Sequence, residues 1–141
     1  MYKENYGETL TGKQRPAIYV FDTEENKLQQ VHLGKAFKET DYLQNPIFDE
    51  SQGIVFTAIS LPVKKLGLNF CLNRPTALCY LKEPKFKKDE ESEVVYLNKG
   101  EFMGMQPKFS EDLSKLVYIA SEEKFLAHSS NFQLKSIDWP F

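Results

Sequence analysis

Histidines, paired acids and cysteines are the side chains through which this 141-residue chain could do chemistry, and each set is thin. His32 and His128 are its two imidazoles. A hydrolytic triad would need one of them held by a carboxylate against a nucleophile. No Gly-x-Ser-x-Gly elbow occurs in the sequence, and His128-Ser129-Ser130 has no acid beside it. Both histidines are therefore expected to be exposed or locally bonded. Asp49-Glu50 and Glu111-Asp112 could suggest paired carboxylates for acid–base work. Their matching places in a repeat assign them to turns instead, where short polar side chains bond the backbone. Cys71 and Cys79 lack the further ligands a zinc site requires, and the spacing from Asp49 to Gly53 lacks the oxygen array of a calcium loop. The cysteines are expected to act as small buried hydrophobes. The reading gives no catalytic residue, no metal site and no cofactor.

Three residues remain as candidate structural or gating groups: Asn73, Arg74 and Arg15. Arg74 and Arg15 each precede a proline, and Asn73-Arg74-Pro75 forms a tight turn between apolar runs. A guanidinium there can tie the turn by bonding backbone carbonyls, or point into a pore and meet a peptide carboxylate. The repeated Arg-Pro favours the structural role.

The elements that must carry these residues read as strands. Residues 1–14 are polar and read as a loop. Pro16 to Phe21 is a short strand ended by the polar cluster Asp22-Thr23-Glu24-Glu25-Asn26, and Lys27 to Leu33 is its hairpin partner. Asn45-Pro46-Ile47-Phe48 and Gly53-Ile54-Val55-Phe56-Thr57-Ala58 read as strand, acidic turn, strand. The same pattern returns at Gln106-Pro107-Lys108-Phe109 and Leu116-Val117-Tyr118-Ile119-Ala120. Pro46 to Pro107 and Phe48 to Phe109 are each 61 positions, and Val55 to Val117 is 62 after one inserted turn residue. Arg15-Pro16 and Arg74-Pro75 form a second repeated pair, and Phe132 to Trp139 is a weaker third copy of the strand pattern. Phe48 and Phe109 are expected at equivalent inward positions, and Trp139 is expected to pack between repeats.

A period near 60 holding about four strands is the signature of a propeller blade. The near-continuous apolar run from Ile54 to Ile59 fits a strand covered on both faces. The expected fold is all-β, a partial β-propeller of about two to two and a half four-stranded antiparallel blades. Residues 1–39 end one blade, 40–98 form a full blade and 99–141 most of a further one. The mixed-charge tract from Lys82 to Glu93 reads as a solvated hairpin loop.

On these residues the chain resembles a known family. The Pro-x-Phe-Ser-Glu-Asp-x-Ser-Lys-Leu-Val-Tyr run at 107–118 is similar to the propeller repeat of the prolyl oligopeptidase clan. Leu66-Gly67-Leu68-Asn69-Phe70-Cys71, Asn73-Arg74, Thr76-Ala77-Leu78 and Tyr80 resemble the propeller of the acylaminoacyl-peptidase (acylamino-acid-releasing enzyme) family, as do Gly7-Glu8 and Arg15 to Asp22. Leu81-Lys82 departs from the strand-Asp pattern of that family. The resemblance implies a propeller that precedes a serine hydrolase domain, caps it, and restricts which N-acylated peptides reach its Ser, Asp and His triad. No triad position maps onto this chain, so the segment is expected to be non-catalytic alone. The alternative is a stand-alone propeller-like module for protein interaction.

Partners follow from the same reading: the missing hydrolase domain or remaining blades, with a homo-oligomer as a further possibility. The net charge of −2 supplies no basic face for nucleic acid or an anionic membrane surface. No apolar run reaches bilayer-spanning length, and the first residues contain no signal core, so a cytoplasmic setting is expected.

Overall fold

The structure, a computed structural model, describes residues 5–13, 16–37, 41–59, 67–68, 74–99, 101–121 and 131–140. Among these residues the protein is all-β, with nine strands, two single-turn 3-10 helices and no α-helix.

The first two strands, β1 (Tyr19–Asp22) and β2 (Lys27–Gln30), form an antiparallel hairpin. Its turn follows from Asp22, whose Oδ1 accepts from the backbone N–H of Glu24 (2.9 Å) and Glu25 (3.0 Å). Asn26 closes it at φ 51°, a left-handed conformation that asparagine tolerates. The central group is a meander of β3 (Tyr42–Phe48), β4 (Ile54–Ile59), β5 (Thr76–Leu81) and the short β6 (Val95–Tyr96). A third group, β7 (Met103–Phe109), β8 (Lys115–Ser121) and β9 (Gln133–Asp138), is also an antiparallel meander. It joins the central group through a single parallel pair, Thr76 with Met103.

Strand alternation explains how these groups stack. Along β4 and β5, Ile54, Phe56, Ala58, Cys79 and Leu81 point one way and pack with Leu43 against Ile18, Val31, Leu33 and Phe37 beside the first hairpin. Val55, Leu78 and Tyr80 point the other way, onto Leu116, Tyr118, Ala120 and Trp139 of the third group. Every residue of β4 is buried, as the continuous apolar run requires of a strand with a layer on each side. Tyr19, Phe21 and Leu28 on the outer face of the hairpin, and Leu134 on the third group, stay exposed.

The 61-residue repeat has a backbone counterpart. The β3–β4 register shifts between Gln44 and Ile47, and the β7–β8 register shifts between Met105 and Lys108. Asn45 and Gln106, each before the repeated proline, both adopt φ 53°. One bulge is thus made twice, each time by a left-handed residue and a proline that needs no ladder hydrogen bond. Phe48 pairs with Ile54 and Phe109 with Leu116, so the two phenylalanines hold equivalent register positions.

Three expectations are corrected. Phe48 is not inward: it is 54% exposed, whereas Phe109 is half-buried with its ring 5.2 Å from that of Trp139. By register the counterpart of Trp139 on the central sheet is Glu83, an exposed acid that cannot cover Phe48. The segment at 5–13 is more than a polar loop, because Tyr6 is fully buried against Ile59, its ring edge-on to Tyr42 at 5.2 Å. The charged tract at 82–93 is solvated in its side chains but is not a free loop. The His32 N–H donates to the Lys85 carbonyl (2.9 Å), and the Ser92 N–H donates to the His32 carbonyl (2.9 Å). Ser92 Oγ accepts from the Lys85 N–H at 2.9 Å, so the tract closes as a strap over the end of β2.

Candidate functional site

The polar residues gather where β4 ends and β5, β7 and the link after β6 begin. Arg74 enters β5 half-buried, and its Nη2 donates to the Gly67 carbonyl at 3.2 Å. Its own carbonyl accepts from Thr76 Oγ1 at 2.9 Å, which fixes the turn into the strand. Gly67-Leu68 is held in turn by the Leu68 N–H donating to the Tyr6 carbonyl at 3.1 Å. Arg74 thus connects the start of β5 to the buried N-terminal tyrosine. Asn73 and Arg15 lie outside the described residues, as do Cys71 and His128.

Two residues at this end carried no signal in sequence. Asn98, buried just past β6, accepts from the Leu78 N–H through Oδ1 (2.7 Å) and donates from Nδ2 to the Thr76 carbonyl (3.1 Å). It serves β5 as a side-chain substitute for ladder bonds that the two-residue β6 is too short to make. Glu101 opens the third group. Its Oε1 takes an ion pair from Lys135 (2.9 Å) and a hydrogen bond from the Tyr118 hydroxyl (3.2 Å). Its Oε2 is buried with no partner among the described residues. A shallow cleft of about 270 Å³ lies between them, lined by Pro75, Tyr96, Lys99, Glu101 and Phe102 among others.

Among the described residues the arrangement serves to orient strands. His32 is half-buried, with its backbone N–H and C=O both taken by the strap. Asp49 Oδ1 accepts from the N–H of Ser51 (2.9 Å) and Gly53 (2.7 Å), while Oδ2 accepts from the Tyr80 hydroxyl at 2.7 Å. A Cβ on Gly53 would fall 2.6 Å from the Tyr80 ring, so this turn requires glycine. Hydrogen bonds from Ser110 and Ser114 lower the Asp112 carboxyl to about 2. Both acid pairs therefore contribute turn residues. Among the described residues no three metal-ligating side chains converge.

Burial pushes the Cys79 thiol up to about 12, so it stays protonated and unreactive at neutral pH. Tyr80, Tyr96 and Tyr118 are also raised, in each case chiefly by burial. The Asp49 hydrogen bond adds to the shift at Tyr80, and the Glu101 charge adds at Tyr118. All four groups hold their protons more tightly folded than unfolded. The stability this confers is complete below the ordinary thiol value of 9.0 and is lost as pH rises through the folded values. Urea midpoints should stay level from about pH 7 to 8.5 and fall steeply above about pH 9. A midpoint unchanged to about pH 11 would contradict the buried placement of these groups.

Comparison with known proteins follows the same lines. The family model described as "Acylamino-acid-releasing enzyme, N-terminal domain" matches residues 1–141. An acylamino-acid-releasing enzyme of Arabidopsis thaliana is 28% identical over 147 residues, covering 99% of this chain and 19% of that protein. Acylamino-acid-releasing enzyme 1 of Oryza sativa subsp. japonica is 27% identical over 160 residues, covering 99% of this chain and 20% of that protein. The chain thus spans about a fifth of the length of these curated relatives. With its family model matched from end to end, the chain belongs to the N-terminal domain family of the acylamino-acid-releasing enzymes.

Proposed function

We propose that this segment is the non-catalytic, substrate-gating part of a serine peptidase that removes N-acylated amino acids from short peptides. In this reading β1–β2 are the outer strands of one propeller blade, β3–β6 are a complete blade, and β7–β9 are three strands of the next. The observation that carries it is the bulged hairpin made twice at 61-residue spacing, on layers that stack face to face. Such units shield their apolar faces by stacking on further units of the same kind. The exposed Tyr19, Phe21 and Leu28 at one end, and Leu134 at the other, are where neighbouring blades would sit. A hydrolase domain elsewhere in a longer protein supplies the triad. Arg74, tied to the Gly67 carbonyl, stiffens the rim past which a peptide must travel.

The test compares short and long N-acetylated peptides as substrates. The chain alone should not turn over a chromogenic N-acetylalanine substrate, whereas the longer protein should. In the longer protein Arg74→Ala should raise kcat/KM for long peptides relative to short ones by about tenfold, equivalent to about 1.4 kcal/mol of lost discrimination. Unchanged size discrimination in a folded Arg74→Ala protein would remove the gating role. Turnover by the pure 141-residue chain, abolished by a fluorophosphonate, would remove the non-catalytic reading.

A further inference from the structure

The outer edge of β2 faces the strap across a groove of about 590 Å³, larger than the cleft beside Glu101. Strand geometry sets what this edge offers. The Val31 N–H donates to the Ile18 carbonyl. Val31 therefore belongs to the hydrogen-bonded pairs of the hairpin, and the backbone groups of Leu28, Gln30 and His32 point the other way. His32 has found partners on that side, because Lys85 and Ser92 bond its N–H and C=O as a neighbouring strand would. Leu28 and Gln30 have none among the described residues. The same edge is thus paired at one end and open over the next two outward positions.

The groove is lined by four successive residues of β2, Lys27 to Gln30, so it runs along the edge rather than over a face. Phe86 supplies an exposed apolar wall on the strap side, and Leu28, 63% exposed, stands at the rim. Three lysines, Lys27, Lys85 and Lys87, line it against one acid, Glu90. Lys87 pairs with Glu90 at 3.2 Å and Lys85 with Glu83 at 3.0 Å, both exposed pairs of the weak kind that an incoming carboxylate can exchange.

We propose that this edge binds an extended acidic peptide of about four residues, which adds to β2 as a third strand. At about 3.3 Å per residue such a segment covers the span that Leu28 and Gln30 leave open. Main-chain bonds to those two residues hold the peptide, the lysines select its carboxylates, and an apolar side chain at alternate positions meets Phe86. The inference is independent of the gating role, because it concerns the outer edge of the first hairpin and not the end that carries Arg74.

The probe is a fluorescein-labelled peptide of alternating glutamate and valine, six residues long, titrated against the longer protein that contains this segment. Fluorescence anisotropy should report saturable binding that weakens with salt. The lysine–valine counterpart should bind at least about tenfold more weakly. A peptide with the same charges but N-methylated at alternate amides should not bind, since it cannot complete the ladder. The exposed double substitution Lys27→Glu with Lys87→Glu should weaken binding by about tenfold while leaving the melting temperature within a few degrees. Equal binding of the N-methylated peptide would show charge attraction alone and overturn the proposal. So would no binding at millimolar peptide, or a protein dimer through this edge that the peptide does not displace.

Discussion

Replacing Trp139 by alanine should lower the unfolding free energy of the chain by about 3–5 kcal/mol. The indole is buried and meets two rings edge-on, Tyr80 of β5 at 4.9 Å and Phe109 of β7 at 5.2 Å. It packs the central group onto the third group, and among the described residues these two are hydrogen-bonded to each other through one parallel strand pair. The backbone N–H of Trp139, which the substitution keeps, donates to the Ser114 carbonyl at 2.7 Å. Truncation leaves a cavity between two sheets that otherwise interdigitate, which costs both transfer energy and packing. Phe109→Ala should be destabilising by about 2–3 kcal/mol, and Phe48→Ala by under about 0.5 kcal/mol despite its equivalent register. Denaturation followed by circular dichroism is the suitable measurement, because Trp139 is the single tryptophan and its loss removes the fluorescent reporter. Equal penalties for Phe48→Ala and Phe109→Ala would contradict the asymmetry between the layers.

Asn98→Ala should cost about 2–4 kcal/mol although it removes only a small polar side chain. The Leu78 N–H and Thr76 carbonyl, both in the buried strand β5, would each lose a partner, and an unsatisfied buried group costs about 1–3 kcal/mol. Asn98→Asp separates the two bonds. A carboxylate can still accept from Leu78, but it opposes its second oxygen to the Thr76 carbonyl. That variant should be destabilised at pH 7 and partly recover as the carboxyl is protonated at low pH, because the acid can then donate. Gly104 faces the same amide: a Cβ there would lie 2.8 Å from Asn98 Nδ2, so Gly104→Ala should also destabilise. Chemical unfolding at pH 7 and pH 4 checks the series. An Asn98→Asp protein as stable as the parent would show that the amide orientation does not matter.

The parts of this fold that could be read from sequence are those whose cause is local. The hairpins around Asp49 and Asp112 announce themselves because an acid bonds its own turn within a few residues. The bulges leave only the recurrence of proline at a 61-residue spacing, because the left-handed residue before it shows in the structure alone. Ile54 to Ile59 reads as doubly covered because all its side chains are apolar or small. What escaped depends on partners far along the chain. Asn98 sits between Leu97 and Lys99 with nothing around it to say that its amide serves residues 20 and 22 positions earlier. Tyr6 looks like one aromatic in a polar stretch until Ile59 and Tyr42 enclose it. The strap looked like a solvated loop because its side chains are charged, while its contribution is made by backbone groups and one serine hydroxyl. Phe48 misled because periodicity reports register, and burial also needs a covering residue that the repeat did not copy.

The clamp of the strap on His32 also sets a schedule for synthesis. A lone two-stranded hairpin is marginal in water, so β1–β2 gains its lasting order only when other layers reach it. Its edge fastening comes from Lys85 and Ser92, the latter 60 positions after His32. At a ribosomal pace of about 5–20 residues per second, that delay is roughly 3–12 seconds. Through this interval Tyr19, Phe21 and Leu28 travel on a nascent hairpin without its fastening. The first hairpin is therefore made well before the strap that fastens it, and the interval between the two is its vulnerable period.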